Sequence, residues 1–167
     1  MKDYLKKPCP CGRTHTIAID EVVVGSGVVN RLPEFVKKYG KKPFVVADIN
    51  TFAAAGEKVC GILAAAQIPF GSFVFKDKAL EPDEKAVGAA FMHFDKTCDV
   101  IVGVGSGVIN DICKILSHVA GLPYIIVGTA PSMDGYASAT SSMSRDGVKV
   151  SLNSRCADVI IGDTDIL

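Results

Sequence analysis

The sequence predicts an α/β fold, a Rossmann-like and mostly parallel sheet flanked by helices on both faces. Short β-branched runs alternate with longer amphipathic segments along the 167 residues, and such a repeat builds a parallel sheet covered by helices. Several of the strand segments are apolar throughout, as strands buried on both faces are. The composition is aliphatic and glycine-rich, with 49% hydrophobic residues, 7% aromatic residues and 16 glycines. We expect residues 1–167 to form one domain.

The individual elements follow from hydrophobic period and turn residues. Strands are predicted at Glu21–Val24, Pro43–Ala47, Gly71–Phe75, Val100–Val104, Tyr124–Val127 and Ala157–Ile161. Helices are predicted at Val28–Tyr39, Thr51–Ala66, Pro82–Phe94 and Val108–Ala120. Residues 132–144 are rich in Ser and Ala, residues 145–147 (RDG) indicate a turn, and Val148–Leu152 is predicted to be one arm of a hairpin.

Charge and cysteine usage exclude several classes of protein. Lys plus Arg and Asp plus Glu both total 18, so the strongly basic field of many nucleic-acid binders is absent. No apolar run approaches the ~20 residues that span a bilayer, and the charged N-terminus does not resemble a signal peptide. Cys60, Cys98, Cys113 and Cys156 stand singly in apolar segments, as reduced core thiols do. The sequence therefore predicts a cytoplasmic protein without nucleic-acid or membrane partners.

A glycine-rich turn between a predicted strand and helix is the first candidate site. Residues 103–111 read GVGSGVIND. Glycines let a ligand approach the backbone, and a helix N-terminus offers free N–H groups with partial positive charge, so the turn could bind a pyrophosphate. Val108 stands where the G-x-G-x-x-G pattern has its third glycine. A tight turn that needs glycine only for packing is an equal alternative.

Two polar segments follow other strands, at the edge where parallel sheets bind ligands. Asp48 could accept hydrogen bonds from ribose hydroxyls, although an N-cap for the next helix is the favoured interpretation of this residue taken alone. Residues 129–138 (TAPSMDGYAS) carry hydroxyls and a carboxylate that could hold a polyol or a nicotinamide ribose. A polar loop with helix caps is the alternative for that segment.

The N-terminal segment CPCGRTH contains three possible zinc ligands, Cys9, Cys11 and His15. A closed structural zinc site needs four ligands, and its paired cysteines are usually two or more residues apart. No partner pair is evident in the rest of the sequence, so we expect a surface arm with two free thiols. His93 and His118 stand singly in helical segments and are interpreted as structural.

Six segments together resemble the iron-containing alcohol dehydrogenase and dehydroquinate-synthase-like superfamily. They are CPCGRTHT (9–16), VGSGVVNRL (24–32), VVADINTFAAAG (45–56), GVGSGVINDICK (103–114), GTAPSMDGYAS (128–138) and ADVIIGDTDIL (157–167). The opening CPCGRTH indicates the glycerol-1-phosphate dehydrogenase branch. The resemblance implies the fold of the N-terminal domain of these enzymes, an NAD(P) cofactor and a small phosphorylated polyol as substrate.

The resemblance also implies roles for individual residues. The implied cofactor-binding residues are Asp48, Gly105, Ser106, Gly107, Asp111, Thr129, Ser132 and Ser138, and Asp134 is the implied substrate-binding residue. In this assignment residues 105–107 hold the pyrophosphate and Asp48 holds the ribose. Thr129, Ser132 and Ser138 lie at the nicotinamide end.

The family's catalytic metal is expected to lie outside this chain. The resemblance implies a second, helical domain in which an aspartate and two histidines hold a divalent Zn, Fe or Ni ion that polarises the substrate carbonyl. The chain stops at Leu167 before that aspartate, its three histidines match no ligand, and Asp163 and Asp165 belong to a strand end. We therefore expect no catalytic residue or metal ligand here, and an NAD(P)- and metal-dependent dehydrogenase only in a longer parent. A homo-oligomer is expected.

Three alternatives remain open at this point. One is a neighbouring activity of the superfamily, glycerol dehydrogenase or dehydroquinate synthase. The second is a non-catalytic nucleotide-binding module, and the third is a metal-sensing or interaction protein built on Cys9, Cys11 and His15.

Overall fold

A six-stranded parallel sheet lies at the centre of the molecule in the computed structural model, which describes residues 9–167. Residues 9–167 contain eight strands, of which six form this sheet. They are β1 (Glu21–Gly25), β2 (Pro43–Asp48), β3 (Gly71–Phe75), β4 (Val100–Gly105), β5 (Tyr124–Gly128), β6 (Thr140–Arg145), β7 (Val148–Asn153) and β8 (Val159–Asp163). The sheet order is β1-β8-β5-β4-β2-β3, with all neighbours parallel. β6 and β7 form a separate antiparallel hairpin.

Helices connect the strands of the sheet and cover its two faces. They are α1 (Leu32–Tyr39), α2 (the consecutive segments Ile49–Thr51, Phe52–Gly56 and Glu57–Ala65, the middle one π-helical), α3 (Glu84–His93) and α4 (Gly107–Ala120). α1 and α2 pack on one face, and α3 and α4 pack on the other. No helix among residues 9–167 combines the length and the apolar character needed to cross a membrane.

The core is densest around β4 and β5, which are buried at every position. Val102 and Val127 belong to the cluster on the α1 and α2 face, whereas Ile101 and Ile126 belong to the cluster on the α3 and α4 face. Each such side chain stabilises the fold by about 1.5–3 kcal/mol. The edge strand β1 instead alternates between half-buried and exposed residues.

The predicted fold class is confirmed, with corrections to the elements, the last strand among them: it lies at Val159–Asp163 and not at 157–161. The helix predicted at 28–39 is wrong in its first turn, since Val28–Arg31 is a 3₁₀ helix and α1 begins at Leu32. Residues 140–145, described from sequence only as Ser- and Ala-rich, form β6, the partner of the predicted hairpin arm. All six cysteines are free thiols in the structure.

A change of direction across the sheet opens a crevice between β2 and β4. β3 lies on one side of β2, whereas the next strand, β4, lies on the other side. α2 leaves β2 towards one face and α4 leaves β4 towards the opposite face. The carboxyl ends of β2 and β4 therefore form a topological switch point, the usual ligand position in open α/β sheets.

Asp163 shapes the turn that follows β1. Its fully buried carboxylate at the end of β8 accepts the N–H groups of Gly27 (3.1 Å) and Val29 (3.0 Å), and that of Asp165 (3.0 Å). Burial opposes ionisation of this carboxyl, but these hydrogen bonds outweigh burial and lower the pKa of Asp163. Gly27 and Val29 stand at the start of the 3₁₀ helix, where their N–H groups have no acceptor within the helix, so Asp163 satisfies donors that would otherwise be unpaired.

We predict that Asp163→Asn destabilises the protein by about 1–3 kcal/mol at neutral pH, because an amide cannot accept all three N–H groups. The pKa of Asp163 lies below the unfolded-state value of about 3.9. Its contribution is therefore present above about pH 4 and is lost as pH falls through the folded-state pKa. Urea denaturation from pH 7 downwards should show the difference from the unmodified protein shrinking on acidification. A difference that stays constant with pH contradicts this role.

Candidate functional site

The first turn of α4 presents uncapped backbone donors at the end of β4. The first helical bond runs from Asn110 N–H to Ser106 O (2.9 Å), so the three preceding N–H groups have no acceptor within the helix. Ser106 is at the N-cap position, but its side chain makes no capping bond, and the first turn contains no acidic residue. The helix dipole adds partial positive charge at this end, so the turn is suited to an anion.

Steric packing explains the glycine at one position of this turn but not at the other. A Cβ on Gly105 would lie 2.5 Å from the Cβ of Ile109, so glycine is required there for α4 to pack on β4. At Gly107 the nearest atom to such a Cβ is Met133 Cγ at 3.6 Å, an ordinary van der Waals distance. The packing explanation therefore accounts for Gly105, whereas packing places no demand for glycine at position 107.

Asp48 is the N-cap of α2. Its Oδ1 accepts the N–H groups of Asn50 (2.8 Å) and Thr51 (2.9 Å), and Thr51 Oγ1 accepts the N–H of Asp48 (3.0 Å). This capping box confirms the interpretation favoured from the residue alone. Because β2 and β4 pair with Val46 opposite Gly103, Asp48 lies at the same sheet edge as the glycine-rich turn. Oδ2 takes no part in the cap, and the ribose role stays a prediction.

A pocket of about 470 Å³ opens beside the first turn of α4 and collects part of the predicted site. Its lining residues are Gly107, Asp111, Lys114, Met133, Asp134, Gly135, Ser138, Thr140 and Ser142. The predicted residues that share it are Gly107, Asp111, Asp134 and Ser138. The predicted residues outside its lining are Asp48, Gly105, Ser106, Thr129 and Ser132. Thr129 still contacts the turn, because its N–H donates to Gly105 O (3.1 Å).

Two other pockets lie near the same face of the sheet. One of about 370 Å³ shares Gly107 and Asp111 and also includes Lys149. The largest, of about 540 Å³, lies between β3 and α3 and is lined by none of the predicted site residues. The first turn of α4 is therefore flanked by two pockets, and the largest pocket of the three is separate from the predicted chemistry.

Sequence reasoning missed Lys114, whose side chain is 1% exposed. Its ammonium lies 2.9 Å from Asp111 Oδ1 and donates to the carbonyl oxygens of Thr140 and Gly135. The three ammonium donors are thereby all used, and α4 is tied to the start of the hairpin. The signal that could have found it is a lysine three residues after Asp111, on a helix face that also carries the buried polar residues Asn110 and Ser117.

Aromatic hydroxyl groups hold the loop of residues 129–138 against α4. Tyr136 donates to Ala130 O (3.1 Å), and Tyr124 donates to Asn110 Oδ1 (3.1 Å). Burial raises the pKa of both phenols, so they remain protonated donors. Asp134 on this loop is exposed, and its carboxylate has no hydrogen-bond partner among residues 9–167. Asn110 Nδ2 in turn donates to Gly135 O (3.3 Å), which joins the loop to α4, and Asp134 presents its carboxylate to the pocket.

Comparison with known proteins identifies the family. The sequence profile of the iron-containing alcohol dehydrogenases matches residues 23–167. The chain belongs to this family. The predicted resemblance to the iron-containing alcohol dehydrogenases is therefore confirmed.

The chain is similar in sequence to proteins named glycerol-1-phosphate dehydrogenase. A glycerol-1-phosphate dehydrogenase (NAD(P)+) from Halalkalibacterium halodurans is 35% identical over 164 residues, which is 95% of this chain and 41% of that protein. One of the same name from Thermoplasma volcanium is 29% identical, over 88% of this chain and 42% of that protein. The chain thus spans about two fifths of the length of these relatives.

Solved structures show the same fold. A glycerol dehydrogenase from Schizosaccharomyces pombe superposes with a TM-score of 0.75 at 24% identity, over 89% of this chain and 38% of that one. An iron-containing alcohol dehydrogenase from Thermotoga maritima gives a TM-score of 0.76 at 15% identity, over 89% and 46% of the two chains. These likenesses confirm the predicted fold, a mostly parallel sheet flanked by helices.

We predict that Gly105→Ala and Gly107→Ala differ in stability although the two glycines are two residues apart. Gly105→Ala should cost about 1–3 kcal/mol, because the new methyl group overlaps Ile109 and forces α4 away from β4. Gly107→Ala should change stability by less than about 0.5 kcal/mol, because its methyl group lies at an ordinary van der Waals distance from Met133. Urea denaturation midpoints measure both, and equal losses would show that packing explains both glycines.

Proposed function

We propose that this chain is the NAD(P)-binding domain of an sn-glycerol-1-phosphate dehydrogenase, which interconverts dihydroxyacetone phosphate and sn-glycerol 1-phosphate. The uncapped first turn of α4 at the topological switch point carries the proposal, since it offers N–H donors and positive potential to a pyrophosphate. The family membership and the names of the relatives support the reaction class.

The residues present fit a dinucleotide. A Cβ at Gly107 would meet no atom closer than 3.6 Å, and the N–H groups of residues 107–109 have no acceptor within the helix. In this proposal they bind the pyrophosphate, and Asp48 Oδ2 accepts the adenine-side ribose hydroxyls. Thr129, Ser132 and Ser138 orient the nicotinamide end. The nicotinamide supplies the hydride when it is bound.

Asp134 is proposed to recognise the polyol part of the substrate. Its exposed carboxylate lines the pocket beside α4. A carboxylate accepts hydrogen bonds from hydroxyl groups but repels a phosphate of like charge. We therefore assign Asp134 to the hydroxyl end of the substrate and not to its phosphate.

The divalent metal that the family resemblance implies does not fit the residues of this pocket. No His or Cys lines it, its carboxylates are Asp111 and Asp134, and Asp111 is paired with Lys114. Such a pair leaves too few ligands for a Zn or Fe site. We therefore assign cofactor binding to the described residues and route no catalytic step through a metal held by them.

Gly107→Val should weaken NADH binding by about tenfold or more, because a branched side chain blocks the pyrophosphate from hydrogen bonds that contribute about 1.5–3 kcal/mol each when one partner is charged. Titration of NADH fluorescence measures the affinity. Gly61→Val is the matched control, since Gly61 is an exposed helical glycine with open space around it. Equal affinities in the two variants would remove the pyrophosphate site from this turn.

Asp48→Asn should raise the affinity for NADPH relative to NADH. Asparagine preserves the N-cap, so the fold should be unaffected, while the repulsion between the carboxylate and a 2′-phosphate is removed. That repulsion is about 1 kcal/mol for unit charges near 4 Å in water, or roughly fivefold in relative affinity. Fluorescence titration with both nucleotides tests it. An unchanged NADPH to NADH ratio would leave Asp48 with its capping role alone.

A further inference from the structure

Three side chains with metal-ligating atoms converge near the start of the described chain. Cys11 Sγ lies 3.0 Å from His15 Nε2, and the ligand atoms of Cys9, Cys11 and His15 are no more than 4.8 Å apart. The sequence alone favoured an arm with two free thiols. The cluster is separate from the pockets beside α4, and the proposed cofactor site does not use it.

The backbone brings these residues together through a tight turn. Gly12 N–H donates to Cys9 O (3.0 Å), and Gly12 has a φ of +71°. This left-handed conformation is one that glycine adopts without strain. The turn reverses the chain directly after Cys11, and His15 returns to the two thiols. The short Cys-x-Cys spacing is therefore compatible with a shared site.

We propose that Cys9, Cys11 and His15 bind one zinc ion through two thiolates and the imidazole Nε2. Sulfur and imidazole nitrogen are the ligands that Zn²⁺ takes in proteins. Tetrahedral zinc with these bond lengths places its ligand atoms roughly 3.5–3.8 Å apart. The distances between the three ligand atoms, up to 4.8 Å, differ from that value by no more than about 1 Å. Rotation of the exposed Cys11 and His15 side chains would bring the ligand atoms to tetrahedral distances.

The fourth coordination position is assigned to water. Among residues 9–167 no further His, Cys, Asp or Glu joins the group, and the site faces solvent. Three protein ligands with one water is an established zinc geometry. Magnesium and calcium prefer oxygen ligands, so the site should reject them.

The ion would bind within the arm that leads into the sheet. Ile17 packs against the core and Ile19 is 1% exposed, and Asp20 N–H donates to Asp158 O (2.8 Å) just before β1. The arm is therefore anchored at its C-terminal end. Zinc bound by residues 9–15 would cross-link this segment to itself, and its water-occupied position would stay open to exchange.

Cobalt substitution tests the site directly. The 167-residue chain, kept reduced and stripped of metal, is titrated with Co²⁺ and then with Zn²⁺. We expect one Co²⁺ per chain, with thiolate-to-metal charge-transfer absorption and the intense visible bands of tetrahedral cobalt, displaced by Zn²⁺ and unaffected by Mg²⁺. No such spectrum, or one ion shared by two chains, overturns the proposal.

Variants separate the cluster from other thiols and imidazoles. Cys11→Ser and His15→Gln should each weaken Co²⁺ binding by at least the 10–100-fold that loss of an outer-shell partner costs. Cys60→Ser and His118→Gln are the matched controls, since these residues lie in α2 and α4 away from the cluster. NADH titration and thermal denaturation verify that each variant is folded. Equal Co²⁺ affinity across the four variants overturns the site.

Discussion

The burial of β4 and β5 on both faces is the constraint to which the other elements respond. A parallel pair cannot be joined by a tight turn, so each connection crosses a face of the sheet as a helix. Val102 and Val127 require cover on one face, and Ile101 and Ile126 require it on the other. Two helices on each face provide that cover, and the point where the chain changes faces, between β2 and β4, is where the crevice opens.

The way each helix begins distinguishes structural turns from the turn that suits a ligand. Asp48 caps α2, Asp83 caps α3 through Ala86 N–H (2.7 Å), and Asp163 accepts N–H groups of the turn before α1. α4 has neither a side-chain cap nor an acidic residue in its first turn. A carboxylate there would compete with an anion for the same N–H groups, so its absence leaves the donors available.

Lys114 joins the packing of the sheet to the shape of the pocket. A buried ammonium is costly unless it is paired and fully hydrogen-bonded, and here Asp111 together with two carbonyl oxygens meets that requirement. The pair holds the loop of residues 129–138 and the hairpin beside α4. The pocket wall is thus positioned by a charge in the interior, and Asp134 remains available to a ligand.

Hydrophobic period and turn residues by themselves determined the sheet strands, the helices and the glycine-rich turn, because these signals depend on local geometry. They did not reveal β6, whose buried Ser141 and Met143 carry little strand pattern in a serine-rich segment. They also could not distinguish the packing requirement at Gly105 from its absence at Gly107. Only the tertiary structure showed that β6 exists, that Gly105 and Gly107 differ, and that Lys114 is an internal ion-pair partner. Each of these depends on contacts with residues distant in sequence, such as the carbonyl oxygens of the loop and hairpin that accept from Lys114.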